Sequence, residues 1–129
     1  EGILKVHRSK TMNLNYIELD RDNVYAMELK RVENLRLIFE SGLSDFLEEK
    51  FPGCTILLFG SYSRGDDTVK SDIDIAVMGS KQKNVELSVF ENGLEREIIL
   101  QFYPSFKEIN KELRENILNG IVLAGSVEL

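Results

Sequence analysis

Cysteine and histidine each occur once, as Cys54 and His7. One of each cannot build a zinc site from soft ligands, and no disulfide can close within the chain. Cys54 stands in an apolar run, where a free cysteine behaves as a small buried hydrophobe. Long apolar runs are missing too. The longest, at residues 54–59, is broken by Thr55 and falls far short of the ~20 residues that cross a bilayer. No basic-then-apolar signal segment opens these residues, so the expected location is the cytoplasm. Positive charge is in deficit: 16 Lys and Arg face 22 Asp and Glu, leaving a formal charge of −6. That argues against a surface devoted to wrapping duplex nucleic acid, whose binding is driven by cations. There is no Gly-x-x-x-x-Gly-Lys-Ser/Thr phosphate loop, no Rossmann glycine fingerprint, no repeat and no low-complexity tract.

What is present is one domain's worth of chain. Its 129 residues are 43% hydrophobic and 29% charged, enough for a core in a soluble protein. Residues 3–19 carry two extended-looking pieces around a polar stretch and read as a hairpin. Asp20, Arg21, Asp22 and Asn23 read as a turn that caps a helix. From residue 24 to 50, Met27, Leu29, Val32, Leu35, Ile38, Phe39, Leu43, Phe46 and Leu47 recur in steps of three and four. That spacing predicts a long amphipathic helix with its stripe on the core. Ser41-Gly42 would kink or divide it, and Phe51-Pro52-Gly53 would stop it.

The apolar run at 54–59 predicts a strand covered on both faces. Further strands are expected at 73–78 and 97–103, with a loop and short helix over 81–92. Ser105-Phe106-Lys107-Glu108 reads as a capping box opening a helix whose stripe is Phe106, Ile109, Leu113 and Ile117. Residues 121–124 would form a last short strand. The order predicts an α/β (α+β) domain over residues 24–129, a small mixed sheet flanked by helices, with the hairpin of residues 1–23 before it.

The chemistry lies between Gly60 and Asp74. Gly60 follows a buried strand at a sharp turn, where a missing Cβ lets a ligand approach the backbone. Ser61 either caps a short helix or bonds a phosphate oxygen, and amides at a helix start favour an anion. Asp72 and Asp74 are two apart in a strand, so both side chains leave the same face, with Ala76 and Met78 beyond them. Aspartate is depleted in strands. At about 6 Å and an effective dielectric of about 20, two such charges repel by roughly 3 kcal/mol, and a bridging magnesium ion would remove that cost. Water at a strand entrance is the plainer alternative. A third carboxylate should come from the neighbouring strand, where Glu97 shares a face with Ile99, Gln101 and Tyr103; an exposed glutamate beside Arg96 is the rival reading. Arg64 could reach a triphosphate from the short helix, as could Lys70 and Ser71 from just before the acids. A surface role is the alternative for Arg64 and the favoured reading for Lys70.

The run Leu57-Leu58-Phe59-Gly60-Ser61-Tyr62-Ser63-Arg64-Gly65, followed by Ser71-Asp72-Ile73-Asp74-Ile75-Ala76-Val77, resembles the signature of the minimal nucleotidyltransferases. These share the fold of DNA polymerase β. The resemblance implies that Gly60, Ser61, Arg64 and Ser71 hold a nucleoside triphosphate, ATP by family analogy. Asp72, Asp74 and Glu97 would be the catalytic acids and the ligands of one or two magnesium ions. A nucleoside monophosphate would pass to an acceptor hydroxyl with loss of pyrophosphate. Minimal members often pair with a helical HEPN-type toxin and act as the antitoxin, which makes a partner protein one candidate acceptor. Homodimer formation is left open. The alternative is a non-catalytic nucleotide-binding or regulatory module.

Residues 4–19 followed by a long helix also resemble the wing of a winged helix-turn-helix, with Lys5, His7, Arg8 and Lys10 as its basic strip. A plain stabilising hairpin is the rival. The chain opens on Glu1 rather than Met, and the helices of such a module would lie upstream. DNA binding by these residues alone is therefore not expected.

Overall fold

The first periodic segment folds as two helices rather than one. In the computed structural model, which describes residues 12–129, α1 spans Met12–Glu40 and α2 spans Leu43–Lys50, divided at Ser41-Gly42. The Ser41 hydroxyl donates to the Ile38 carbonyl at 2.9 Å, closing the first helix. Three expectations need correction here. Residues 16–19 are helical, not the second strand of a hairpin, and the Asp20 to Asn23 cluster lies inside α1 instead of capping it. No glycine or proline occurs between Met12 and Glu40, so nothing interrupts the helical hydrogen-bond ladder. The first strand of that hairpin and the basic strip Lys5 to Lys10 lie outside the described residues.

The third correction concerns which face of α1 is buried. Ile38, Leu43 and Leu47 are fully buried and Leu35 packs against them, but Leu29, Val32 and Phe39 stay exposed. Between Met27 and Asn34 the inward face meets Gly65 and Asp67, so Lys30 and Asn34 reach toward the loop there. Helical period locates apolar stripes; it does not choose between two of them.

Four strands follow the expected runs: β1 Thr55–Phe59, β2 Ile73–Met78, β3 Ile98–Tyr103 and β4 Ile121–Ala124. Their order in the sheet is β3-β2-β1-β4. β1 runs antiparallel to both β2 and β4, while β2 and β3 are parallel, so the sheet is mixed. The parallel step needs a crossover, supplied by the segment containing α4, Ser88–Leu94.

Alternation along the strands divides the core in two. Ile56, Leu58, Ile73, Ile75 and Val77 face α1, α2 and the short helix α3, Ser61–Arg64. Leu57, Phe59, Ala76 and Met78 face the opposite layer, where Phe106, Ile109 and Ile117 are buried. That layer corrects the capping box. Ser105 is extended and makes no side-chain cap; Phe106–Glu108 form one 3-10 turn, and α5 runs only from Lys111 to Leu118. Asn110 caps α5, its side-chain oxygen accepting from Leu113 N at 2.9 Å. Burying both Phe106 and Ile109 on the sheet holds this segment off the helical path. Among the described residues no helix is long and apolar enough to cross a membrane.

Candidate nucleotide site

The antiparallel register of β1 and β2 pairs Phe59 with Asp74, so the chain leaving β1 turns directly beside the residues entering β2. Gly60 stands at that corner with φ +82° and ψ −167°, a conformation essentially restricted to glycine. A Cβ placed there would lie 2.5 Å from an Asp74 carboxylate oxygen. The glycine thus serves both ends of the motif: it permits the turn and leaves room for the aspartate. The Ser63 hydroxyl donates to the Gly60 carbonyl at 2.7 Å and tightens the turn. Gly65, with φ +84°, ends α3 against the backbone of α1 at Met27 and Arg31.

Asp72 and Asp74 are both half-buried. Burial pushes the Asp74 carboxyl above the usual carboxylate range, the charge of Asp72 pushes it the same way, and Arg64 opposes them. Neither aspartate has a cationic side chain within ion-pair distance among the described residues, although Asp66 and Asp67 do. Two crowded carboxylates without an ion-pair partner among the described residues suit a hard divalent cation. Magnesium commonly takes one or two carboxylates and completes its shell with water and substrate phosphates, so this pair fits an ion that arrives with a triphosphate.

Arg64 is exposed, its Nε 3.4 Å from an Asp66 carboxylate oxygen. An exposed pair of this kind is worth little, which leaves the guanidinium available to an anion. Ser71 holds the loop before the acids, its hydroxyl accepting from Thr68 N at 2.9 Å. Ser71, Asp72 and Glu97 all line one hollow of about 550 Å³, with Lys70, Glu91 and Arg96. A hollow of about 610 Å³ at the far end of β2 contains no carboxylate and is not this site.

Glu97 is anchored by its backbone, its carbonyl accepting from Ile73 N at 2.8 Å. Its side chain is exposed just before β3. Among the described residues no three of His, Cys, Asp and Glu converge as metal ligands, so Glu97 is not gathered with Asp72 and Asp74. The residue level with Asp74 on the neighbouring strand is Ile99, 36% exposed.

Sequence reading missed a polar cluster beneath this surface: Asn34, Asp67 and Arg96, with Lys30 at its edge. Asp67 sits in a polar loop with no periodicity, where nothing local marks burial.

The family model described as the nucleotidyltransferase domain matches residues 40–124. The matched span starts at the end of α1 and closes with β4, and so includes the whole sheet and Gly60, Ser61, Arg64, Ser71, Asp72, Asp74 and Glu97, while Lys30 and Asn34 precede it. No curated protein matches the chain.

Proposed function

We infer, from the premise that the chain belongs to the nucleotidyltransferase family, that Gly60 to Asp74 form a binding site for a magnesium-bound nucleoside triphosphate, ATP by family analogy. The observation that carries this reading is the contact between Gly60 and Asp74, which brings a phosphate turn and a carboxylate pair together at one corner. Gly60 and Ser61 bind phosphate oxygens, Arg64 pairs with phosphate charge, and Ser71 steadies the loop that presents the acids. Asp72 and Asp74 would hold the magnesium, which when bound neutralises charge on the triphosphate. In the transfer, an acceptor hydroxyl oxygen forms a bond to the α-phosphorus, the bond to the bridging oxygen breaks, and pyrophosphate leaves with its electron pair. The hydroxyl proton passes to a carboxylate or to water. A hydroxyl of a partner protein, such as a HEPN-type toxin, is the acceptor suggested by family resemblance.

A specific observation favours a second reading. Ile99 occupies the position level with Asp74, where a third carboxylate would complete a cluster. This supports a module that binds nucleotide without turning it over.

Calorimetric titration of ATP with and without magnesium tests the first premise: binding is expected only with the metal. No binding in either condition would overturn the site. Transfer from α-labelled ATP to a protein or RNA acceptor then separates enzyme from binding module. Gly60→Ala is expected to weaken magnesium-dependent binding sharply, since the new methyl occupies the space of the Asp74 carboxylate. Backbone strain of roughly 1–3 kcal/mol should also lower the denaturant midpoint. Unchanged affinity in a folded variant would contradict the role given to that corner.

A further inference from the structure

Three separate parts of the chain meet at one buried carboxylate that the reading above leaves unused. Asp67 lies in the loop between α3 and β2, and its side chain has no exposed surface. One oxygen accepts from Lys30 Nζ at 3.2 Å and from Asn34 Nδ2 at 2.8 Å. The other accepts from a terminal nitrogen of Arg96 at 3.0 Å. Asn34, itself buried, also donates to the Tyr62 carbonyl at 3.0 Å, so α1 grips α3 and the loop through a single amide. The Arg96 guanidinium lies 5.9 Å from the centre of the Tyr62 ring, and Arg96 Nε is buried with no hydrogen-bond partner among the described residues.

The cost of this arrangement is informative. Burial pushes the Asp67 carboxyl up, but hydrogen bonds from Arg96, Asn34 and Lys30 outweigh it and hold it below the usual range. Buried ion pairs are poor devices for stability, because desolvation cancels most of the attraction. What they can do is fix geometry. Apart from α1 itself, each segment joined through Asp67 and Asn34 carries a site residue. Tyr62 follows Ser61; the Asp67 loop runs on to Ser71 and Asp72; Arg96 precedes Glu97, whose carbonyl receives the Ile73 amide at the start of β2. The spacing between phosphate turn and carboxylates is therefore set from behind.

We propose that Asp67 is the positioning residue of the nucleotide site: with Asn34 and Arg96 it fixes the Gly60-Ser61 turn relative to Asp72 and Asp74 without touching the nucleotide. This rests on the nucleotide-binding reading above.

The test compares Asp67→Asn and Arg96→Lys with Asn110→Ala, a loss of the α5 cap in the opposite layer. Two readouts are taken on each full chain: affinity for magnesium-ATP, and hydrogen exchange across residues 60–73. Asn110→Ala should lower Tm by roughly 3–6 °C and leave affinity unchanged. Asp67→Asn should weaken binding roughly tenfold and speed exchange in residues 60–73 while α5 keeps its protection. Arg96→Lys, which keeps the charge but loses the fork, should fall between Asp67→Asn and wild type. Exchange that rises evenly over the chain, or an affinity loss no greater than that of Asn110→Ala, would overturn the proposal. Should Asp67→Asn not fold, Arg96→Lys carries both readouts. If wild type binds no magnesium-ATP, the nucleotide reading fails, and the exchange pattern alone decides whether Asp67 positions these segments.

Discussion

Asp74→Asn is expected to raise the melting temperature of the ligand-free protein at neutral pH and to abolish magnesium-dependent nucleotide binding. The two effects have one cause. Burial, and then the charge of Asp72, push the Asp74 carboxyl above the usual range. A carboxyl raised in the native state binds a proton that the unfolded chain has already released. Stability therefore falls as pH rises through that interval, and the loss persists at neutral pH. Asparagine has no charge to bury and no charge to set against Asp72. The variant's advantage should vanish at acid pH, below the ordinary carboxylate range, where both states of the wild type are protonated. Magnesium-ATP should reverse the order at neutral pH. At about 100 times Kd a ligand adds roughly 2.7 kcal/mol to the protein that binds it and nothing to one that does not. Asparagine removes one of the two charges that would hold the ion, so apparent affinity should drop on the order of 100-fold or more, about 2.8 kcal/mol. Thermal melts at neutral and acid pH, each with and without magnesium-ATP, check all of this. A variant less stable than wild type without ligand at neutral pH would show that Asp74 is not under electrostatic strain.

The largest loss of stability should come from Gly65→Ala. Gly65 is buried, and its φ of +84° alone costs an L-residue roughly 1–2 kcal/mol. The added methyl would also overlap the Met27 carbonyl oxygen and approach the Arg31 amide nitrogen at 2.8 Å. Those are backbone atoms of α1 and cannot rotate away, so helix and turn must separate. Overpacking of this kind costs about 1–3 kcal/mol more. Against the roughly 5–15 kcal/mol that holds a domain together, the variant should lose a large share of its stability. Gly93 in α4 is the contrast, since a Cβ there meets nothing within 4 Å among the described residues. Gly93→Ala should be neutral or stabilising by up to about 1 kcal/mol. Chemical denaturation of both variants decides the matter; equal midpoints would mean that α3 does not depend on close approach to α1.

Much of this arrangement was legible in the residues. Short apolar runs gave the four strands to within a residue or so, and steps of three and four gave the helical segment over residues 24–50 with its break at Ser41-Gly42, but not the first half of α1. Helix boundaries were less legible. The cluster Asp20 to Asn23 looks like a turn, but without glycine or proline it does not force one. Ser105 and Glu108 have the spacing of a capping box, yet the sheet takes Phe106 and Ile109 first. The second failure arises where a local signal competes with packing.

By itself the sequence determined that Asp72 and Asp74 share a face, because the pleat of a strand has period two wherever that strand lies. It also determined that the chain turns at Gly60 and carries no Gly-x-x-x-x-Gly-Lys-Ser/Thr run. Only the tertiary structure decided that Gly60 touches Asp74, which depends on the register between two strands twelve or more residues apart. The same holds for Ile99 standing level with Asp74 and for Asp67 lying buried between a lysine, an asparagine and an arginine. Spacing along the chain sets which way a side chain points; only the fold sets what it meets.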